Sequence, residues 1–311
     1  MEFRVVSKFA TAVLISLFGA HAGAQVTINN GITGDGFWEV VSEDAGDSRT
    51  GRIDPVGALG PTDVIFRLET EYSSVTGRGS LSDNTTTPAT LTGSGEVTSS
   101  GTFLGANGTI NWSATAAIAP GSALYTVRFD FDSSSPFGDT RIVNYFDQDV
   151  LGSGGDIVVV NGTPGQNDFQ LLTVDSGADV GVALAADYNG TANMTWAGWA
   201  AMSCCGAPSI FSISGESDLA TFTDPRFPAN DAYGPADVTT SFAWDFNPSA
   251  TTASMTMSIG ASPDGAPPPP PISGPSAAPT PVPTLGSLWL LSLSILLGWL
   301  GRSRLPRRRA G

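Results

Sequence analysis

Tyr125-Thr126-Val127-Arg128-Phe129-Asp130-Phe131-Asp132 alternates without a break: large apolar residues at odd positions, polar or charged ones at even positions. Side chains of a β-strand point to opposite faces in turn, so this octet predicts a strand with one buried and one wet face. Ile110, Trp112, Ala114 and Ala116 repeat the pattern, as do Val180, Val182 and Leu184. Phe242, Trp244 and Phe246 do so again, followed by Met255, Met257 and Ile259. Gly, Asn, Asp, Ser and Pro clusters separate the runs, Asn161-Gly162-Thr163-Pro164-Gly165 among them, and no long segment keeps a helical period. Many short half-buried strands predict an all-β chain, an antiparallel β-sandwich, with a large supersandwich-like form as the more distant alternative.

The ends differ in kind from this body. Arg4 and Lys8 precede an apolar stretch from Phe9 to Ala20, and Ala22-Gly23-Ala24 before Gln25 is an A-x-A cleavage site. Residues 1–24 therefore read as a signal peptide. The β-sandwich body is assigned to residues 25–260 and a proline-rich linker to 261–281, where Pro267 to Pro271 are consecutive. Polyproline II rises ~3.1 Å per residue, which makes this a semi-rigid spacer of up to ~60 Å. Residues 282–311 hold Val282-Pro283-Thr284-Leu285, an uncharged stretch to Gly301, then Arg302, Arg304, Arg307, Arg308 and Arg309. The uncharged stretch is about 25 Å of helix, close to a bilayer span, so a C-terminal transmembrane helix is predicted. Trp289 and Trp299 sit near its two ends, and the arginines keep the C-terminus cytoplasmic.

This tail resembles the IPTL-CTERM class of bacterial sorting signals, relatives of the PEP-CTERM signals. In that class an Ile-Pro-Thr-Leu motif precedes a membrane helix and an Arg-rich end. Val282 replaces the Ile, and Gly286 and Ser287 stand where a polar or acidic pair is usual. The resemblance covers about thirty residues. It implies an exosortase-type processing enzyme as partner, a precursor anchored in the inner membrane, and export to the cell surface or extracellular matrix of a Gram-negative bacterium.

Composition narrows the chemistry of the body. Residues 25–281 contain no lysine and no histidine; seven arginines face 28 acidic residues, a net charge of −21. That balance repels nucleic acid and anionic membranes. Mechanisms that need His or Lys are closed, including Ser-His-Asp triads, His-based zinc sites and Schiff bases. Carboxylates are what remains, either as glycosidase acid/base pairs or as ligands of a cation such as calcium.

Asp147 and Asp149, in Tyr145-Phe146-Asp147-Gln148-Asp149, share one strand face ~7 Å apart. They read either as a pair that holds calcium with carbonyls and water or as a solvated face. Asp130, Asp132 and Asp139, near Arg128 and Arg141, form a second acid group in sequence. Trp196 and Trp199 are three apart, so a regular strand turns them to opposite sides; they read as two core or interface tryptophans, or as one core ring and one outward ring that could stack on polysaccharide. Cys204 and Cys205 are adjacent and suit a vicinal disulfide, two reduced thiols or bonds to another chain. Acids on wet faces keep pKa values near 4, which leaves no general acid at neutral pH. The expectation is therefore a non-enzymatic exported surface or biofilm-matrix protein, with a carbohydrate-binding module and a carboxylate-only glycoside hydrolase as its rivals.

Overall fold

The computed structural model describes residues 24–34, 36–53, 62–152, 155–175, 177, 180–203, 232–262 and 268. Seventeen strands run through them. In chain order these are β1 (Val26–Asn29), β2 (Trp38–Ser42), β3 (Ser48–Ile53), β4 (Thr62–Ser74), β5 (Gly77–Ser80) and β6 (Thr85–Leu91). Then come β7 (Val97–Gly105), β8 (Gly108–Ile118), β9 (Leu124–Ser133), β10 (Thr140–Val150), β11 (Asp156–Asn161) and β12 (Gln170–Asp175). Last are β13 (Gly181–Ala186), β14 (Met194–Ser203), β15 (Ala232–Ala236), β16 (Val238–Phe246) and β17 (Thr252–Ser262). One sheet has the order β1-β2-β3-β4-β10-β16-β14, with β5 on β4; the other has β15-β11-β12-β13-β17-β9-β8-β7-β6. The strands pair antiparallel throughout. The all-β, sandwich-like expectation is met.

The octet that opens the sequence argument lies in β9, where Tyr125, Val127, Phe129 and Phe131 are buried and Arg128, Asp130 and Asp132 exposed. β8 obeys the same rule. Aromatic rings close the space between the sheets. Tyr72 on β4 stacks on Phe103 of β7 at 4.4 Å, and Phe246 of β16 meets Phe131 of β9 edge-on at 5.0 Å. Such offset and edge-to-face pairs match the charge distribution of the rings. Where the core is most crowded, only glycine fits. A Cβ on Gly51 would lie 2.3 Å from the Phe66 ring and 2.8 Å from Trp38.

The turn between β2 and β3 enters the core with its polar groups satisfied from both sheets. Ala45 N donates to Ser99 Oγ at 2.8 Å, and the Tyr125 hydroxyl donates to Gly46 O at 2.7 Å. Asp47 Oδ1 accepts from Thr70 N at 2.9 Å. A buried polar group costs free energy unless it is paired, so this network specifies how the two sheets meet.

Two boundaries differ from the sequence reading. β17 continues to Ser262, past the assigned end of the body at 260, because Gly181 and Val182 of β13 extend its ladder there. Pro268, assigned to the free spacer, is buried: Gln170 Nε2 donates to its carbonyl at 2.8 Å, and its ring fills the space above Gly260. Residues 1–23 of the signal peptide, the sorting motif, the C-terminal helix, the Arg cluster and the Cys204/Cys205 pair lie outside the described residues. No helix among the described residues is long and apolar enough to cross a membrane.

Candidate functional site

The central strands of the first sheet turn a row of ionisable side chains away from the inter-sheet core. β10 carries Tyr145, Asp147 and Asp149 on that face. Tyr145 lies in register with Glu69 of β4 and Ser241 of β16, and Asp147 with Arg67 and Thr239. Arg67 and Glu69 form an ion pair. Asp147 and Asp149 thus share a face, as their spacing predicts, and both are half-buried.

This face does not keep its acids at ordinary values. Burial, then Asp149 and Asp237, push the Asp147 carboxyl up to about 6 despite Arg67. Asp149 is raised by burial and by Asp237. On the second sheet, Asp156 opens β11 directly opposite Asp175, on the same side as core residues Val158 and Val160, and is pushed up to about 7, chiefly by burial, with Asp149, Asp175 and Asp237 adding to it. It is 0 % exposed, and its Oδ1 has no hydrogen-bond partner. Glu71, 4 % exposed, is pushed up to about 8 by burial and by Glu69. Removing water disfavours the ionised carboxylate, and like charges add to that cost. The expectation of wet acids near pKa 4 is therefore corrected. Alternation predicts which way a side chain points; it does not report how deeply that face is covered. Among the described residues no group of three Asp, Glu, His or Cys side chains is arranged to hold a metal ion.

A second feature lies at the other end of β10. Asp139, Thr140, Thr195, Asp245, Phe246, Asn247 and Pro248 line a cleft of about 500 Å³. It forms where β10 begins, β16 ends and β14 begins, with Arg141, Asp245 and Thr195 in register across the three strands. Arg141 Nε donates to Asp245 Oδ1 at 2.6 Å and Nη2 to Oδ2 at 2.9 Å, a two-point clamp. The Arg141 side chain is 8 % exposed and that of Asp245 42 % exposed, so the buried guanidinium holds a carboxylate that still reaches solvent. Thr140 is fixed by donating to Phe137 O and accepting from Ala106 N, both at 3.0 Å.

Asp139 reaches this cleft, but Asp130 and Asp132 do not join it. They sit on the exposed face of β9, bonded to Arg128 and Asn111. Nearness in sequence does not bring the three together, because a turn at Gly138 (φ +63°) separates β9 from β10. Asp245 is the residue that sequence reasoning missed; its only signal was alternation with Trp244 and Phe246. Of the two tryptophan readings, the one with both rings at the core is met, and the outward ring for polysaccharide is corrected. A β-bulge between Trp196 and Gly198 inserts one residue, so Trp196 and Trp199 both meet Phe169, at 5.7 and 5.9 Å, and both meet the core.

No family model matches the chain, and no curated protein matches it. Among solved structures, a bacterial glucoamylase complexed with acarbose is similar over 76% of this chain and 33% of its own, at 8% identity and TM-score 0.49. A putative kojibiose phosphorylase from human microbiome is similar over 90% of this chain and 33% of its own, at 7% identity and TM-score 0.40. The chain spans about a third of the length of either. At these identities the likeness is one of fold. The expectation of a non-enzymatic surface protein is corrected on its own physical ground: acids confined to wet faces are not what the structure holds at Asp147, Asp156 and Glu71.

Proposed function

We propose that this chain is a carbohydrate-active domain that cleaves glycosidic bonds with carboxyl groups alone, Asp147 acting as proton donor and Asp149 as its ionised partner. The observation that carries the reading is a half-buried Asp147, pushed up to about 6, one pleat along β10 from Asp149. A general acid must hold its proton near the working pH. Two coupled carboxyls arrange this between them, because ionising one disfavours ionising the other. Their spacing of ~7 Å suits an inverting pair, which leaves room for a water. Asp149 takes a proton from that water as its oxygen attacks the anomeric carbon. Asp147 gives its proton to the departing glycosidic oxygen. No histidine or lysine in residues 25–281 competes for either role.

The purified full-length chain, assayed for reducing ends against a panel of neutral polysaccharides, is expected to show turnover. Asp147→Asn and Asp149→Asn each lower it at least ~100-fold with the fold retained by circular dichroism, the scale on which a positioned acid or base contributes. Absence of turnover, or turnover indifferent to both substitutions, removes the reading.

The ends support export of this activity. Residues 1–24, read as a signal peptide, and 282–311, read as a sorting tail, support a domain exported past the inner membrane to the cell surface or matrix. Intact mass of protein from the native host is expected to show an N-terminus at Gln25 and loss of the Arg302–Arg309 peptide. Retention of that peptide identifies a plain membrane anchor instead.

A further inference from the structure

We propose that the cleft between β10, β16 and β14 is a second glycan site, one that takes a positively charged amino sugar. It does not rest on the Asp147/Asp149 reading: Arg141, at its edge, is six residues from Asp147 along β10, roughly 20 Å. The volume of about 500 Å³ is in the range of a small-molecule site. Its lining is mixed in the way sugar rings require. Thr195 offers a hydroxyl and Pro248 an apolar surface, and buried Phe246 forms part of the wall. Asn247 Oδ1 is engaged by Ser249 N at 3.1 Å and Ser249 Oγ at 2.9 Å, which holds the amide with its Nδ2 as a donor.

Charge narrows the class of sugar. Asp245 is balanced by Arg141, yet each of its oxygens keeps a lone pair beyond the clamp. Asp139 is exposed, and no hydrogen bond or ion pair engages it among the described residues. The cleft therefore carries one uncompensated negative charge on a body of net charge −21. Uronates and sulfated glycans are repelled from it. A neutral sugar forms ordinary hydrogen bonds. A 2-amino sugar adds an ammonium, whose bond to a carboxylate is about twice as strong as a neutral one.

Calorimetry on the full-length chain tests this with four probes of equal length: a glucosamine oligomer, a neutral glucan, a polyuronate and a lysine oligomer. The glucosamine oligomer is expected to bind about tenfold tighter than the glucan, ~1.4 kcal/mol by conversion. The polyuronate is expected not to bind. Asp139→Asn should bring the glucosamine and glucan affinities together. Asp139 is chosen because Asp245→Asn would strand the buried Arg141. Thr195→Ala, which removes an exposed hydroxyl, should weaken both sugars and leave the lysine oligomer unmoved. Equal affinity for glucan and glucosamine overturns the amino-sugar inference and leaves glycoside cleavage standing. A lysine oligomer that binds as tightly as glucosamine reduces the site to bare charge and overturns it too. Absence of binding by every probe overturns it outright, while turnover at Asp147 and Asp149 is measured separately.

Discussion

Replacing Phe169 with alanine is expected to lower the melting temperature by about 10 °C. Phe169 precedes β12 in the second sheet, is 0 % exposed, and reaches across to β14 and β16 of the first. Its ring lies 5.7 Å from Trp196, 5.9 Å from Trp199 and 5.5 Å from Phe242. Truncation removes its transfer free energy and leaves a cavity walled by rigid rings that cannot collapse into it. Phe-to-Ala changes of this kind cost about 3–5 kcal/mol, and in a body of this size each kcal/mol moves the midpoint by roughly 2–4 °C. Phe169→Leu, which refills part of the volume, should recover about half of the loss. A melting temperature within ~2 °C of the parent after Phe169→Ala would show that the sheets are not held together at this contact.

Acidity should stabilise the protein, a less usual direction. Glu71, Asp156 and Asp147 are pushed up to about 8, 7 and 6 in the folded chain, and Asp44 and Asp47 are also raised by burial. Unfolded, these groups return to ordinary carboxylate values. Between about pH 4 and pH 8 the folded state therefore binds more protons than the unfolded state, and stability falls as pH rises. Each such contribution is fully present below the unfolded pKa and is lost as pH rises through the folded one. The melting temperature is expected to be several degrees higher at about pH 5.5 than at about pH 8.5, as the proton linkage requires. Glu71→Gln, which supplies a permanently neutral side chain at a buried position, should flatten the upper part of that curve. A stability that rises from pH 5.5 to 8.5 would contradict the burial of these carboxyls. The same titration bears on catalysis, since turnover through Asp147 should decline above about pH 6 as that carboxyl loses its proton.

Much of the architecture could be read without coordinates, because alternation is a local property. A strand side chain points up or down according to its parity, so Tyr125 through Phe131, and Ile110 through Ala116, declare their buried faces from the chain alone. Parity also puts Asp147 and Asp149 on one side of β10, and composition removes His and Lys chemistry from the body. Parity fails where the ladder does. The bulge at Ala197 shifts register by one, and Trp199 turns to the core beside Trp196. A one-residue insertion of this kind depends on how β14 meets β16, a pairing across more than forty residues of chain.

The environment of each carboxyl belongs to long-range structure. Asp156 meets Asp175 because β11 pairs with β12, and Asp237 joins them from the bend before β16. Asp139 and Asp245 lie more than a hundred positions apart and line one cleft because β10 and β16 are neighbours in the sheet. The sequence therefore settled which residue types are available and which side of a strand they occupy. Desolvation and the distances between like charges were settled by the strand order, since both sum over neighbours that no local pattern encodes.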